Sequence, residues 1–316
     1  MKGLLEALEV ANSKRAHFVR SLSFKGIAHD TEESGTIYKI LAKTLALKAL
    51  KLRATHGSSF EGPFFQQNPV FALTDLRLSS FRLQDKDQCL LRFLESQRCL
   101  QTLYLHAQLC SSEDEAKDIF SSAAFPKLKV LSVHLFLVHA FLRTSARLTH
   151  LRVSSRVPGR VATRVSGHFA RAHSPGPDST CTDTLCTDTL ETLSCSDIFD
   201  ADAVVSLASL CPNLKWLSGP IATVTKLECL YTRNRELRGL HFNRFSFESA
   251  LSPGDMPRLF GPLPTLQFVD DNKARWYRGA VTSTPIRWLG RPDERWLADW
   301  IEDAVTVNDE SGIGDR

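Results

Sequence analysis

The chain has 316 residues, 43% of them hydrophobic and 23% charged, with a formal net charge of +4. That balance excludes the disordered class, and the charge is too small to point to nucleic acid. No apolar stretch reaches the roughly 20 residues of a membrane-spanning helix, so the length leaves two ordinary domains or one repeat array, and internal repetition must decide.

The opening MKGLLEALEVANSK carries Glu6 and Glu9 where a secretory leader needs an uninterrupted apolar run. The eight cysteines are therefore expected to be thiols in a reducing compartment, cytoplasmic or nuclear. From Val19 onward an apolar-x-x-Leu-x-apolar hexad recurs. It runs Val19 to Phe24, Leu47 to Leu52, Leu73 to Leu78, Leu100 to Leu105, Leu128 to Val133, Leu148 to Val153, Leu190 to Cys195, Leu214 to Gly219 and Leu237 to Phe242, with a degenerate copy from Leu266. Successive starts lie 28, 26, 27, 28, 20, 42, 24, 23 and 29 residues apart, mostly in or near the leucine-rich-repeat period of about 20 to 29. The end of each hexad alternates like a short strand. Between hexads the apolar spacing becomes helical, at Ile37, Ile40, Leu41 and Leu45, at Leu90, Leu91 and Leu94, at Ile119 and Phe120, and at Val204, Val205 and Leu207. The expected fold class is α/β: an irregular leucine-rich-repeat solenoid over residues 1–275, with a curved parallel sheet on the concave face and helices on the convex face.

The segments Arg98-Cys99-Leu100-Gln101-Thr102-Leu103 and Cys211-Pro212-Asn213-Leu214-Lys215-Trp216-Leu217 resemble the Cys-x-x-Leu-x-x-Leu phrase of F-box-associated leucine-rich repeats. The irregular array from Leu4 to Phe268 is similar to the many such proteins of mushroom-forming fungi. The resemblance implies a substrate-recognition role beside a ubiquitin-ligase adaptor. An F-box itself is not visible, since the first repeat begins at Val19 and no Leu-Pro-x-Glu start occurs.

The 42-residue interval marks a loop insertion at about 154–189. Its first half is rich in arginine, and its second half holds a tandem Cys-Thr-Asp-Thr-Leu. His168 and His173, then Cys181 and Cys186, offer two pairs each separated by four residues, but the order fits no standard zinc finger and no metal site is expected. Four tryptophans (Trp276, Trp288, Trp296, Trp300) fall in 276–307, read as a terminal cap with an amphipathic helix, followed by an acidic tail at 308–316.

Catalytic motifs are missing: no Gly-x-x-x-x-Gly-Lys, no His-Glu-x-x-His and no Gly-x-Ser-x-Gly. No enzyme activity and no cofactor are expected. If the hexads are strands, their fifth place and the residue after the sixth face the concave surface. These two rows include Lys25, Lys51, Arg53, Arg77, Tyr104, His106, His134 and Arg152, cationic and aromatic with no acid among them. They are the expected binding residues for an acidic or phosphorylated segment of a protein partner. Two alternatives stay open: a nucleic-acid binder using the arginine-rich insertion, and an enzyme whose site assembles across repeats.

Overall fold

In the computed structural model, which describes residues 1–10, 15–27, 31–54, 71–82, 89–108, 119–144, 146–154, 188–195, 201–219, 228–242, 253–270, 274–278 and 286–287, the hexads become strands. The described residues divide into two compact units, one ending at Leu190 and the next beginning at Glu191. Unit 1 holds β1 (Ser21–Ile27), β2 (Ala49–Ala54), β3 (Asp75–Arg82), β4 (Thr102–Gln108), β5 (Val130–His134) and β6 (His150–Ser154), each parallel to the next. Its helices are α1 (Lys2–Val10), α2 (Thr31–Lys43), α3 (Cys89–Ser96) and α4 (Leu135–Leu142).

Unit 2 continues the pattern with parallel β7 (Thr192–Cys195), β8 (Trp216–Gly219), β9 (Gly239–Phe242) and β10 (Phe268–Asp270). Between them lie α5 (Ala201–Ser209), α6 (Glu228–Arg233) and α7 (Met256–Phe260). Two antiparallel strands follow, β11 (Ala274–Tyr277) and β12 (Ile286–Arg287). Parallel strands joined by helical crossovers at this period make each unit a leucine-rich-repeat α/β fold.

The hexad owes its residue types to burial. From the second repeat on, every first-place and fourth-place residue is at most 1% exposed, Leu47 and Leu50 through Leu266 and Val269. Truncating one such leucine removes both transfer energy and packing. Backbone polarity is satisfied by a device that repeats with the sequence. The carbonyl at the hexad's second place accepts two successive N–H groups from the next repeat: Lys48 O takes Thr74 and Asp75, and Gln101 O takes Lys129 and Val130. In unit 2, Lys215 O likewise takes Arg238 and Gly239. In several repeats the residue three before the hexad closes a turn, its carbonyl accepting the first-place N–H, as Thr44 does for Leu47, Gln97 for Leu100 and Asn234 for Leu237.

Side chains at that turn place do further bonding. Gln97 Oε1 accepts the Leu73 N–H at 2.9 Å, and Asn234 Nδ2 donates to Ala208 O at 3.1 Å and Cys211 O at 2.6 Å. Cys211 holds the same turn place, whereas Cys99 sits directly before Leu100 and its repeat has Gln97 there. The two cysteine phrases are thus not structurally equivalent, because the chain spacing from cysteine to hexad differs.

Irregular spacing has physical counterparts. The 20-residue interval is met because α4 begins at Leu135, directly after β5. Ile119 and Phe120, read as helical from their spacing, lie at a bend instead. There Phe120, Phe125 and Phe141 fill the layer, with ring centroids 4.7 to 5.1 Å apart. Phe125 holds φ at 55°, a left-handed value that a non-glycine residue adopts only where packing imposes it.

At the end of unit 2, Trp276 lies on β11 and is 7% exposed. Arg278 continues from it, its guanidinium donating to Leu266 O at 2.7 Å, to Phe260 O at 2.6 Å and to Leu263 O. An arginine so placed satisfies carbonyls left open by the end of α7. The helix expected around Trp296 and Trp300, the 154–189 insertion beyond Ser154 up to 187, and the 308–316 tail lie outside the described residues.

Candidate functional site

Strand register sets the candidate face. Ser23, Lys51, Arg77, Tyr104, Ser132 and Arg152 stand opposite one another from β1 to β6. Their neighbours in sequence point the other way into the leucine core, so this row lies on the sheet face turned from that core. The next row places Lys25, Arg53, Ser79 and His106 side by side on β1 to β4, and His134 beside Ser154 on β5 and β6.

The row members differ in how far they are committed. Lys25, Lys51 and Arg53 are exposed and form no ion pair among the described residues. Arg77 is half-buried and fixed: its Nε and Nη2 reach the Asp75 carboxylate at 3.2 Å each, and its guanidinium carbon lies 4.6 Å from the Tyr104 ring centre. Cation and ring attract through the ring's quadrupole. Asp75 occupies the hexad's third place, two residues before Arg77 and hence on the same face. This acid lies outside the expected fifth- and seventh-place rows, and the signal for it is in the third-place row (Ala49, Asp75, Thr102, Val130, His150).

His106 organises the middle of the face. Its Nε2 lies 2.8 Å from Ser132 Oγ, and its Nδ1 lies 3.4 Å from Ser154 Oγ. Ser154 donates to Val133 O at 3.3 Å, so it accepts from Nδ1–H, and in the neutral ring Ser132 then donates to Nε2. Arg152 and His134 are half-buried beside this network.

Unit 2 presents a different face. The fifth-place row is Ser194, Ser218, His241 and Asp270, all at most 5% exposed. Ser218 Oγ lies 2.9 Å from His241 Nδ1. A serine, a histidine and an aspartate on successive strands have the residue types of a nucleophilic site, but Ser218 is buried, only 1% exposed, and out of a substrate's reach in this arrangement. Asp270 was missed because its hexad, Leu-Gln-Phe-Val-Asp-Asp, lacks the last apolar residue. In the third-place row, Trp216 and Phe268 pack over Gly239 with ring centres 5.5 Å apart.

His168, His173, Cys181 and Cys186 lie outside the described residues, and no metal-binding cluster of His, Cys, Asp or Glu occurs among the described ones. Cys195 and Cys211 are buried free thiols. Burial, followed by the charge of nearby Cys211, pushes the Cys195 thiol far above its ordinary range, which keeps it from acting as a thiolate nucleophile. No described helix is long and apolar enough to cross a membrane.

No family model matches the chain, and no curated protein does. Among solved structures it is similar to a leucine-rich-repeat protein of Leptospira interrogans, at 14% identity and a TM-score of 0.40. That match covers 80% of this chain and 60% of the other, so the chain spans about three-fifths of that structure's length. The assignment of a leucine-rich-repeat fold rests on the strand register and the repeated turns.

Proposed function

We propose that the protein is a non-catalytic recognition scaffold whose unit 1 sheet face binds an acidic segment of a protein partner. Leucine-rich-repeat arrays generally serve as protein-binding platforms, because a rigid sheet holds side chains in fixed rows at little entropic cost on binding. The observation that carries the reading is the run of cations on registered strands, Lys25, Lys51, Arg53, Arg77 and Arg152, against the single acid Asp75 within the three described rows. Tyr104, His106 and His134 extend the same face with aromatic and hydrogen-bonding groups.

A finer form of the reading, that the scaffold selects substrates for an F-box-like ubiquitin ligase in the cytoplasm or nucleus, is supported by the Cys211-Pro212-Asn213-Leu214 phrase. The free thiols at Cys89, Cys99, Cys195 and Cys211 fit a reducing compartment. The test is capture by the tagged chain from cell extract, with nuclease, comparing the natural protein with the Lys51→Glu, Arg53→Glu, Arg152→Glu variant. Proteins lost from the variant while its thermal midpoint is kept are the expected result, and a ligase adaptor among the captured proteins supports the finer form. An unchanged set of captured proteins contradicts the proposed face.

A further inference from the structure

Lys25, Lys51 and Arg53 differ from the other cations of the face in their arrangement. Lys25 and Arg53 are direct register partners on β1 and β2, about 4.8 Å apart across the strands. Lys51 and Arg53 are two residues apart on the same strand face, about 6.6 Å along it. Three exposed cations therefore occupy neighbouring positions of the sheet face, and among the described residues no carboxylate lies within ion-pair distance of them. Neighbouring Arg77 is bound to Asp75, and Arg152 lies opposite Ser132.

A second feature singles out the same spot. The β1 ladder shifts register between Lys25 and Ile27, where Gly26 adopts φ of 71°, and the β3 ladder shifts between Ser79 and Phe81. Bulges are uncommon in parallel pairs, leave the extra residue out of the ladder, and gather beside functional sites. Both fall directly after Arg53's two register neighbours, Lys25 and Ser79.

We infer that Lys25, Lys51 and Arg53 form a phosphoryl-binding site that recognises a phosphorylated serine or threonine in a partner peptide. The inference rests on the proposed acidic-partner face and narrows it. A carboxylate brings one charge and two oxygens, whereas a phosphoryl group brings nearly two charges and three acceptor oxygens. An arginine fork and two lysine ammonium groups match the latter, and Ser79 stands beside Arg53 as a further hydroxyl.

The test is fluorescence anisotropy of three labelled peptides built of glycine, serine and glutamate, identical except for a central phosphoserine, glutamate or serine. The phosphoserine peptide is expected to bind about tenfold more tightly than the glutamate peptide. Arg53→Ala should abolish that preference, while Lys127→Ala, an exposed cation off these rows, should keep it. Because the three cations are exposed, thermal midpoints should stay in place. Equal binding of the phosphoserine and glutamate peptides overturns the phosphoryl site and leaves the acidic-partner reading standing. Failure of all three peptides overturns both, and tighter binding of a single-stranded oligonucleotide would assign the cations to a nucleic-acid backbone instead.

Discussion

At Gly239 a single hydrogen decides the packing of a face. A β-carbon there would meet the Trp216 ring at 2.5 and 2.6 Å and the Phe268 ring at 2.9 Å, so the two rings can close over the strand only because the side chain is absent. Gly239→Ala should lower unfolding free energy by about 1–3 kcal/mol in urea denaturation and alter tryptophan fluorescence; an unchanged value would mean the rings do not stack there. Asp75 poses the opposite case, an acid that holds Arg77 down. Asp75→Asn should leave Arg77 available and raise affinity for an acidic peptide about two- to fivefold, whereas weaker binding would show that Arg77 must be held in place. Neither residue was conspicuous in the sequence. The expected rows followed the fifth and seventh places of the hexad, and Asp75 and Gly239 both stand at the third, which turns to the same face. That the eight expected residues share one sheet face was legible because strand alternation fixes where they point; whether a given cation is already paired depends on side-chain geometry that alternation does not encode.

The strands and turns form one repeated element, so a lesion in any central hexad should act alike. Leu103 is fully buried in β4, and Leu103→Ala should cost about 2–5 kcal/mol of stability, read from chemical denaturation. A cost below 1 kcal/mol would show that the layer closes over the gap. Asn234 tests the turn rather than the core. Its amide bridges Ala208 O and Cys211 O while its own Oδ1 is buried without a partner. Asn234→Ala should destabilise unit 2 by about 1–3 kcal/mol, since it removes two buried hydrogen bonds to carbonyls that keep only their backbone donors, Cys211 N–H and Leu214 N–H, and a neutral outcome would assign the turn to the backbone alone. The hexads were readable because burial at their first and fourth places admits almost nothing but leucine. The bend at Ile119 and Phe120 was not, since two adjacent apolar residues suit a helical turn and a packed bend alike, and the ring contacts of Phe120 with Phe125 and Phe141 are not encoded in their spacing.

Across the chain, the two repeat units carry different faces on the same scaffold. Unit 1 exposes cations in register, and unit 2 buries serine, histidine and aspartate in the equivalent row. The sequence contained both rows, and the near-absence of acids from the first was visible in it; the burial of the second was not, because burial depends on residues remote in the chain. On the proposed reading, partners engage the unit 1 sheet face. Hydrogen–deuterium exchange of the full chain, with and without a saturating phosphoserine peptide, tests it most directly. Slower exchange confined to residues 21–27, 49–54 and 75–82, with residues 192–195 and 239–242 unchanged, is the predicted result. Protection that appears in unit 2 or in the helices, and spares those three strands, would contradict it.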